Sequence, residues 1–140
     1  MSNEHPAITA NKNSMANAMA GNKEGWLTLF ADDAVVYDPV GPSPHDPEGK
    51  GFHGKEEISK FWDIMIGPSN LNIIPHKRYP CGNTCAVVMT AANDMGGGIK
   101  THIEMIGVYE VNGEGKIQVM KVYWDIDKLG AQLQQFGISY

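Results

Sequence analysis

The chain has 140 residues and a net charge of −5, from 11 basic and 16 acidic residues. This length fits one domain with a sizeable core, and 42% apolar with 19% charged residues is typical of a globular protein. The acidic balance disfavours nucleic acids and anionic membranes as partners, because both need basic patches. The sequence has no apolar run of about 20 residues, the length of a membrane span, and its start lacks a secretory signal, so we expect a cytoplasmic protein.

The N-terminal part is predicted to begin with a flexible tail, residues 1–10, so that a single domain covers 11–140. Alanine and methionine at helical spacing predict a helix over residues 10–20, ended by Gly21.

The middle of the chain alternates between short elements and a loop. A second short helix is predicted over 23–31 and a strand over 34–37. Residues 38–51 contain four prolines and three glycines, which predicts a loop. A brief extended piece at 52–54 precedes a strongly amphipathic helix over 55–66.

The second half is rich in β-forming residues. Short loops of glycine and asparagine separate its runs and indicate hairpins. The predicted strands are 71–79, 84–93, 99–111 and 116–125, followed by a short helix over 126–136. The predicted fold is therefore α+β: a curved antiparallel sheet of about six strands, with three helices from the N-terminal half. Three helices cannot fill a strongly bent sheet, so an apolar pocket should remain.

The cysteines and histidines do not point to a metal or a disulfide. Cys81 and Cys85, four residues apart on one strand, would lie about 13 Å apart, whereas a disulfide needs about 4.4–6.8 Å between Cα atoms. We expect both to be buried thiols. The histidines show no ligand spacing, so no metal and no cofactor are expected.

Asp38 is the carboxylate that stands out. It directly follows an apolar strand, so its side chain can project into the pocket, where apolar walls would raise its pKa and make it a proton acceptor. The alternative is that Asp38 only starts a turn, as Asp-Pro often does. Asp32 and Asp33 are expected to be solvated turn residues.

The run LFADDAVVYDPVG at residues 29–41, with His53-Gly54 before a helix and Tyr123-Trp124 at the end of a strand, resembles ketosteroid isomerases and SnoaL-like domains of the NTF2-like superfamily. The resemblance begins at about residue 11 and extends over nearly the whole remaining chain. It implies a cone-shaped fold around a pocket, and it implies that Asp38 is a catalytic base. The scaffold carries many activities, so the resemblance alone does not fix the reaction.

The resemblance also shows departures. Ketosteroid isomerases stabilise the oxyanion with a tyrosine and a protonated aspartic acid; these positions fall on Ser14 and Gly107. The supporting tyrosines fall on Phe30 and Trp62. The base is kept and its acid partners are replaced, and Gly107 would leave space for a bulkier substrate.

Several residues could supply the missing proton donor. Alternation along the strand puts Gly107 and Tyr109 on one face, so Tyr109 is a donor if that face looks inward. With the opposite register, His102 and Glu104 would face the pocket as an acid–base pair. His53, beside the pocket-forming helix, is a further candidate proton donor, or else a helix-entry residue.

The pocket walls are predicted to be large apolar side chains, adaptable where they are methionines. Ser14 could hold a water or a substrate hydroxyl, or lie on the helix surface. The predicted wall residues are Phe30, Phe61, Trp62, Met65, Val88, Met105, Met120 and Trp124.

Three functions fit these observations. The first is a cofactor-free lyase or isomerase that abstracts a proton from a small aromatic or steroid-like hydroxyl or carbonyl compound, with elimination or carbon–carbon cleavage as in lyases of lignin-derived diarylpropanes. The second is a steroid Δ-isomerase with a substituted oxyanion donor. The third is a non-catalytic protein that binds hydrophobic ligands. NTF2-like domains usually dimerise through the outer face of the sheet, so the resemblance implies a homodimer, and apolar residues on both strand faces agree with a second buried face.

Overall fold

The computed structural model describes residues 4–139, which form four helices and six strands. The helices are α1 (Pro6–Ala20), α2 (Lys23–Leu27), α3 (Gly54–Phe61), which continues into a π-helical turn (Trp62–Ile66), and α4 (Ile126–Gln134). The strands are β1 (Phe30–Tyr37), β2 (Phe52–His53), β3 (Leu71–Cys81), β4 (Thr84–Asp94), β5 (Lys100–Val111) and β6 (Ile117–Tyr123).

The six strands form one curved sheet in the order β2-β1-β6-β5-β4-β3. Strands β3 to β6 form the predicted antiparallel meander. The prediction of a wholly antiparallel sheet was wrong, because β1 pairs with β6 in parallel. The chain leaves β1 through β2 and α3 and returns at the end of the meander, so β6 arrives beside β1 in the same direction. The predicted α+β architecture is confirmed.

Helix α1 begins earlier than predicted. Pro6 occupies its first turn, where proline needs no backbone donor and its fixed φ suits a helix. The ring nitrogen Nδ1 of His5 accepts a hydrogen bond from the backbone N–H of Ala7 at 3.1 Å and caps the helix. Residues 6–10 are therefore helical and not a tail, while residues 1–3 of the predicted tail lie outside the described residues. Gly21 ends the helix in the left-handed conformation, as predicted.

Helix α2 is shorter than predicted and β1 is longer, because Phe30 belongs to the sheet. Phe30 pairs with Ile117 of β6, and its ring packs against Trp26 with 4.5 Å between ring centroids. Strand pairing and this packing outweigh the helical pattern of the sequence.

The core lies between the concave face of the sheet and the helices. Its centre is Trp26, which has no exposed surface. Besides Phe30, the indole contacts the rings of Phe61 and Trp62, at 6.2 and 5.2 Å between centroids. This aromatic cluster fixes α2 and α3 against β1, and it forms one wall of the space that the helices leave open.

The two cysteines are free thiols. Cys85 is buried on β4, as predicted, but Cys81 is exposed and corrects that prediction. Cys81 is the last residue of the edge strand β3, directly before the hairpin turn to β4. Within residues 4–139 no helix is both long and apolar enough to cross a membrane.

Candidate active site

A cavity of about 180 Å³ lies between the concave face of the sheet and helices α1, α3 and α4. Most of its lining is apolar. The polar exceptions are Ser14, Asp38, Ser69, Asn93, Thr101 and Tyr109. A few polar groups in an apolar cavity are typical of a small-molecule site.

Asp38 lies directly after β1, and its carboxylate faces the cavity, as predicted. The indole Nε1 of Trp124 donates a hydrogen bond of 2.7 Å to Oδ1 of Asp38. Two residues later, the backbone N–H of Val40 donates to the carbonyl of Val122 on β6 at 2.9 Å. The chain is thus tied to β6 beyond the carboxylate, which holds Asp38 in place.

The environment of Asp38 makes its carboxylate a better base than an ordinary aspartate. Burial raises its pKa from 3.8 to about 6, because the apolar walls disfavour the charged form. The hydrogen bond from Trp124 opposes this rise. At neutral pH the carboxylate is therefore mostly ionised, yet it accepts a proton readily.

Tyr109 lines the same cavity from β5 and is buried. Burial and the nearby negative charge of Asp38 both raise the pKa of the phenol, while the facing side chains of Ser14 and Asn11 partly offset this. Tyr109 thus carries its proton at neutral pH and can donate a hydrogen bond into the cavity.

Gly107 makes room for the Tyr109 ring. A Cβ built at Gly107 would lie 2.9 Å from Cε1 of Tyr109 and 2.9 Å from Cε of Met89. Both distances are too short, so the two side chains already fill the space over the glycine. The expectation that Gly107 frees space for a bulkier substrate was therefore wrong.

Ser14 completes the polar group near Tyr109. Its hydroxyl lines the cavity and accepts a hydrogen bond of 3.1 Å from the indole Nε1 of Trp26. Because the oxygen is the acceptor in that bond, the hydroxyl proton is left to point toward Tyr109 or a ligand oxygen. Of the two roles considered for Ser14, the structure thus supports the cavity-facing one.

Comparison with known proteins decides the family. The model of the SnoaL-like domain matches residues 13–120, which is most of the chain. This chain belongs to the SnoaL-like domain family. The resemblance seen in the sequence, and the NTF2-like fold that it implied, are thereby confirmed.

Two proteins of known structure that are similar to this SnoaL-like domain come from mycobacteria. RV0760c from Mycobacterium tuberculosis is 32% identical, with a TM-score of 0.85 over 91% of this chain and 97% of that chain. A second structure of RV0760c holds estradiol-17beta-hemisuccinate, with 32% identity and a TM-score of 0.83 over 89% and 98% of the two chains. A Delta 5-3-ketosteroid isomerase from Mycobacterium sp. is 31% identical, with a TM-score of 0.83 over 89% and 97%.

Of the two orientations considered for β5, the structure has the one in which the face that carries Tyr109 points into the cavity. In the SnoaL-like domain Thr101, Met105 and Tyr109 line the cavity. His102 and Glu104 point to the opposite face and are exposed. The alternative of a His/Glu acid–base pair in the pocket was therefore wrong.

His53 does not lie in the cavity, which corrects its prediction as a proton donor. Its side chain is exposed, and its ring Nε2 lies 2.6 Å from the carbonyl oxygen of Lys50. The ring also meets Tyr37 edge-on at 6.4 Å between centroids. These contacts hold the end of the proline-rich loop, and His53 directly precedes α3 as its N-cap residue, which is the helix-entry position of the alternative.

Three predicted wall residues lie elsewhere. Phe30 and Trp62 are buried in the aromatic cluster behind the wall, and Val88 is 37% exposed on the outer face of β4. Residues predicted as walls that do line the cavity are Phe61, Met65, Met105, Met120 and Trp124, while the sequence missed Met15, Trp26, Ile73, Met89 and Ile103. Among residues 4–139, no group of three or more His, Cys, Asp or Glu side chains is placed to hold a metal ion.

The raised pKa of Asp38 predicts a pH-dependent stability. The native state binds this proton up to about pH 6 and the unfolded state only to about 3.8, so the free energy of unfolding should fall as pH rises between these values. Asp38→Asn removes this loss. In urea unfolding, the free energy of unfolding of the variant minus that of the wild type should therefore rise by about 1–3 kcal/mol between pH 4 and pH 7.

A second variant checks the cause. Trp124→Phe removes the hydrogen bond that opposes the rise in the pKa of Asp38. The free energy of unfolding of this variant, which keeps Asp38, should therefore fall more with rising pH than that of the wild type. A difference between Asp38→Asn and wild type that stays constant from pH 4 to pH 7 would contradict the burial of Asp38.

Proposed function

We propose that this SnoaL-like domain is a cofactor-free isomerase that moves a proton on a flat, apolar, steroid-like ketone, with Asp38 as the base. The observation that carries the proposal is the pairing of an ionisable carboxylate of raised pKa with a protonated phenol in one apolar cavity. The matching family and its ketosteroid isomerase relative support an isomerase-type function that needs no cofactor.

In the proposed reaction, the substrate is a β,γ-unsaturated ketone, and the Asp38 carboxylate takes a proton from the carbon between its carbonyl group and its C=C bond. The electron pair of that C–H bond moves into the conjugated system and leaves a dienolate with its negative charge on oxygen. Protonated Asp38 then returns the same proton to a carbon further along the system, which gives the conjugated ketone. No atom is gained or lost, and no redox partner is needed.

Tyr109 is proposed as the donor that stabilises the dienolate oxygen. The ring of Tyr109 lies over Gly107, the position where the resemblance places the family's acidic donor. Its hydroxyl thus takes over the function of that missing acid, with the Ser14 hydroxyl beside it. A donor aimed at a developing oxyanion contributes about 10²–10³ in rate.

The cavity walls favour a flat hydrophobic substrate. Trp26, Phe61 and Trp124 provide aromatic surface. The volume of about 180 Å³ is below the roughly 300–1,000 Å³ of most ligand sites. A steroid-sized ligand must therefore extend through the mouth or displace flexible side chains, and five methionines line the cavity: Met15, Met65, Met89, Met105 and Met120.

Binding without turnover is the second candidate. Among the residues that line the cavity, Asp38 is the one carboxyl group, so no carboxylic acid donor accompanies Tyr109. A computationally designed 17-OHP binder shares 31% identity and a TM-score of 0.83 with this chain. Lyase chemistry on aromatic diols would use Asp38 in the same way, but the ketosteroid isomerase relative favours isomerisation over it.

The deciding experiment measures turnover of a β,γ-unsaturated ketosteroid by the absorbance of the conjugated enone. Asp38→Asn should lower kcat at least about 100-fold, as expected for a lost base. Tyr109→Phe should lower it by about 100-fold through the lost donor. The matched control is Tyr79→Phe, because Tyr79 is 47% exposed on the edge strand, and it should leave kcat unchanged.

Aromatic diols and hydroxy-ketones are assayed beside the steroid. If only these compounds were turned over, the result would contradict the isomerase proposal and support a lyase. If no compound were turned over but the steroid quenched the tryptophan fluorescence, the result would contradict the isomerase proposal and support a binding protein. An Asp38→Asn variant as active as wild type would contradict the proposed base.

We also propose that the domain is a cytoplasmic homodimer joined through the outer face of the sheet. Val88, Ile106 and Tyr123 are paired neighbours on three strands and form an exposed apolar row there, 37–46% exposed. Light scattering should give twice the 15.3 kDa of one chain, and Ile106→Lys should shift the mass toward one chain because it places a charge in the row. A wild-type mass of one chain would contradict the dimer.

A further inference from the structure

The hydroxyl of Tyr109 is backed by a buried side chain that does not itself line the cavity. Asn11 lies on α1 with no exposed surface. Its Oδ1 accepts a hydrogen bond of 2.8 Å from Nε of Arg78 on β3. A fully buried asparagine on an otherwise ordinary helix needs a partner for each end of its amide.

The contact with Arg78 fixes which way the amide points. A guanidinium carries only donors, so the group that faces it must be the Asn11 oxygen. The NH₂ end therefore faces the other way, into the protein. It is buried, and within residues 4–139 it has no hydrogen-bond partner. An unpaired buried donor is costly, so this N–H should bind an acceptor in the working protein.

The acceptor best placed for this N–H is the oxygen of Tyr109. Asn11 lies one turn before Ser14 on the buried side of α1, which packs against β5. Ser14 and Tyr109 line the same cavity. Burial raises the pKa of the Tyr109 phenol, and the side chains of Ser14 and Asn11 both oppose that rise. A phenol oxygen can accept a hydrogen bond while its own O–H donates one. We infer that Asn11 and Arg78 are positioning residues for Tyr109: Nδ2 of Asn11 donates to the phenol oxygen, and the Arg78 guanidinium polarises the amide from behind.

The result is a chain of donors that ends in the cavity. Arg78 donates to Asn11, Asn11 to Tyr109, and Tyr109 to the ligand oxygen. Each bond in such a chain polarises the next, so the phenol becomes a stronger donor. Nη2 of Arg78 also contacts Sδ of Met15 at 3.5 Å, which holds the guanidinium against the back of the cavity wall.

This chain replaces the support that the family resemblance leads one to expect. The positions of the supporting tyrosines hold Phe30 and Trp62, which are buried in the aromatic cluster and bear no hydroxyl. Support for Tyr109 therefore comes from the opposite side, from α1 and the edge strand β3. Any effect of Asn11 and Arg78 on catalysis rests on the proposed function, but their effect on the position and donor strength of the Tyr109 hydroxyl does not.

The test uses two readouts that need no turnover, both in the Asp38→Asn protein. One is the ¹³C resonance of Tyr109 in protein labelled at the tyrosine Cζ, assigned with Tyr109→Phe. The other is the affinity for a series of substituted phenols of decreasing pKa, which report donor strength in the cavity. The variants are Asn11→Leu and Arg78→Met, with Asn13→Ala as the matched control, because the Asn13 side chain is exposed on the same helix.

Asn11→Leu should shift the Tyr109 resonance and weaken the binding of the most acidic phenols by about three- to tenfold, the effect of one hydrogen bond. Arg78→Met should change both readouts in the same direction but less, and Asn13→Ala should change neither. The dependence of affinity on phenol pKa should flatten in Asn11→Leu, which a purely structural role would not cause.

The inference would be overturned if folded Asn11→Leu and Arg78→Met proteins, both in the Asp38→Asn background, left the Tyr109 resonance unshifted and kept the phenol affinities within about twofold of those of the Asp38→Asn protein. If Asn11→Leu does not fold, the Arg78→Met variant decides alone, because Arg78 lies on the partly exposed edge strand. Absence of steroid turnover would contradict the isomerase proposal, but both readouts would still show whether Asn11 donates a hydrogen bond to Tyr109.

Discussion

A carboxylate in an apolar cavity needs a fixed hydrogen-bond donor, and the Trp124 indole gives Asp38 that donor at 2.7 Å. The parallel pairing of β1 and β6 makes this possible. Tyr37 and Lys121 are partners in register, so the carboxyl ends of both strands reach the same edge, and Asp38 and Trp124 follow there. The apolar walls raise the pKa of the carboxylate to about 6 and the indole limits the rise. This balance leaves a base that is ionised at neutral pH and can still accept a proton.

The end of the cavity that contains Tyr109 depends on a glycine at position 107. Gly107 has no Cβ, so the ring of Tyr109 can lie over it with Met89 alongside. Tyr109 and Ser14 line the same cavity, and Asn11 is buried one turn before Ser14 on α1. The two sides come from different elements: the proposed base, Asp38, is held by β1 and β6, and the proposed donor, Tyr109, belongs to β5 and faces α1. Changes on one side can therefore alter substrate preference while the base stays in place.

Sequence patterns predicted the parts of this arrangement that local chemistry decides. Glycine and asparagine loops located the hairpins, and the Asp-Pro step after an apolar strand pointed to Asp38. The pattern failed where tertiary packing decides. The run Val87-Val88-Met89 is apolar at every position, so alternation could not tell that Val88 faces outward. The amphipathic pattern of the α3 region placed Trp62 on the inner face, but the cluster around Trp26 draws it behind the cavity wall. Nothing local marks Asn11, because its burial depends on Arg78, which lies 67 residues away in the chain.

The most direct test of the central claim is whether Asp38 removes a proton from carbon. A saturated 3-ketosteroid cannot isomerise, so its exchange of α-protons for deuterium in D₂O reports the base alone. We expect the protein to catalyse this exchange, with a rate that rises with pH around a midpoint near 6, and we expect Asp38→Asn to abolish it. Exchange no faster than in buffer, or equal exchange by wild type and Asp38→Asn, would contradict the account.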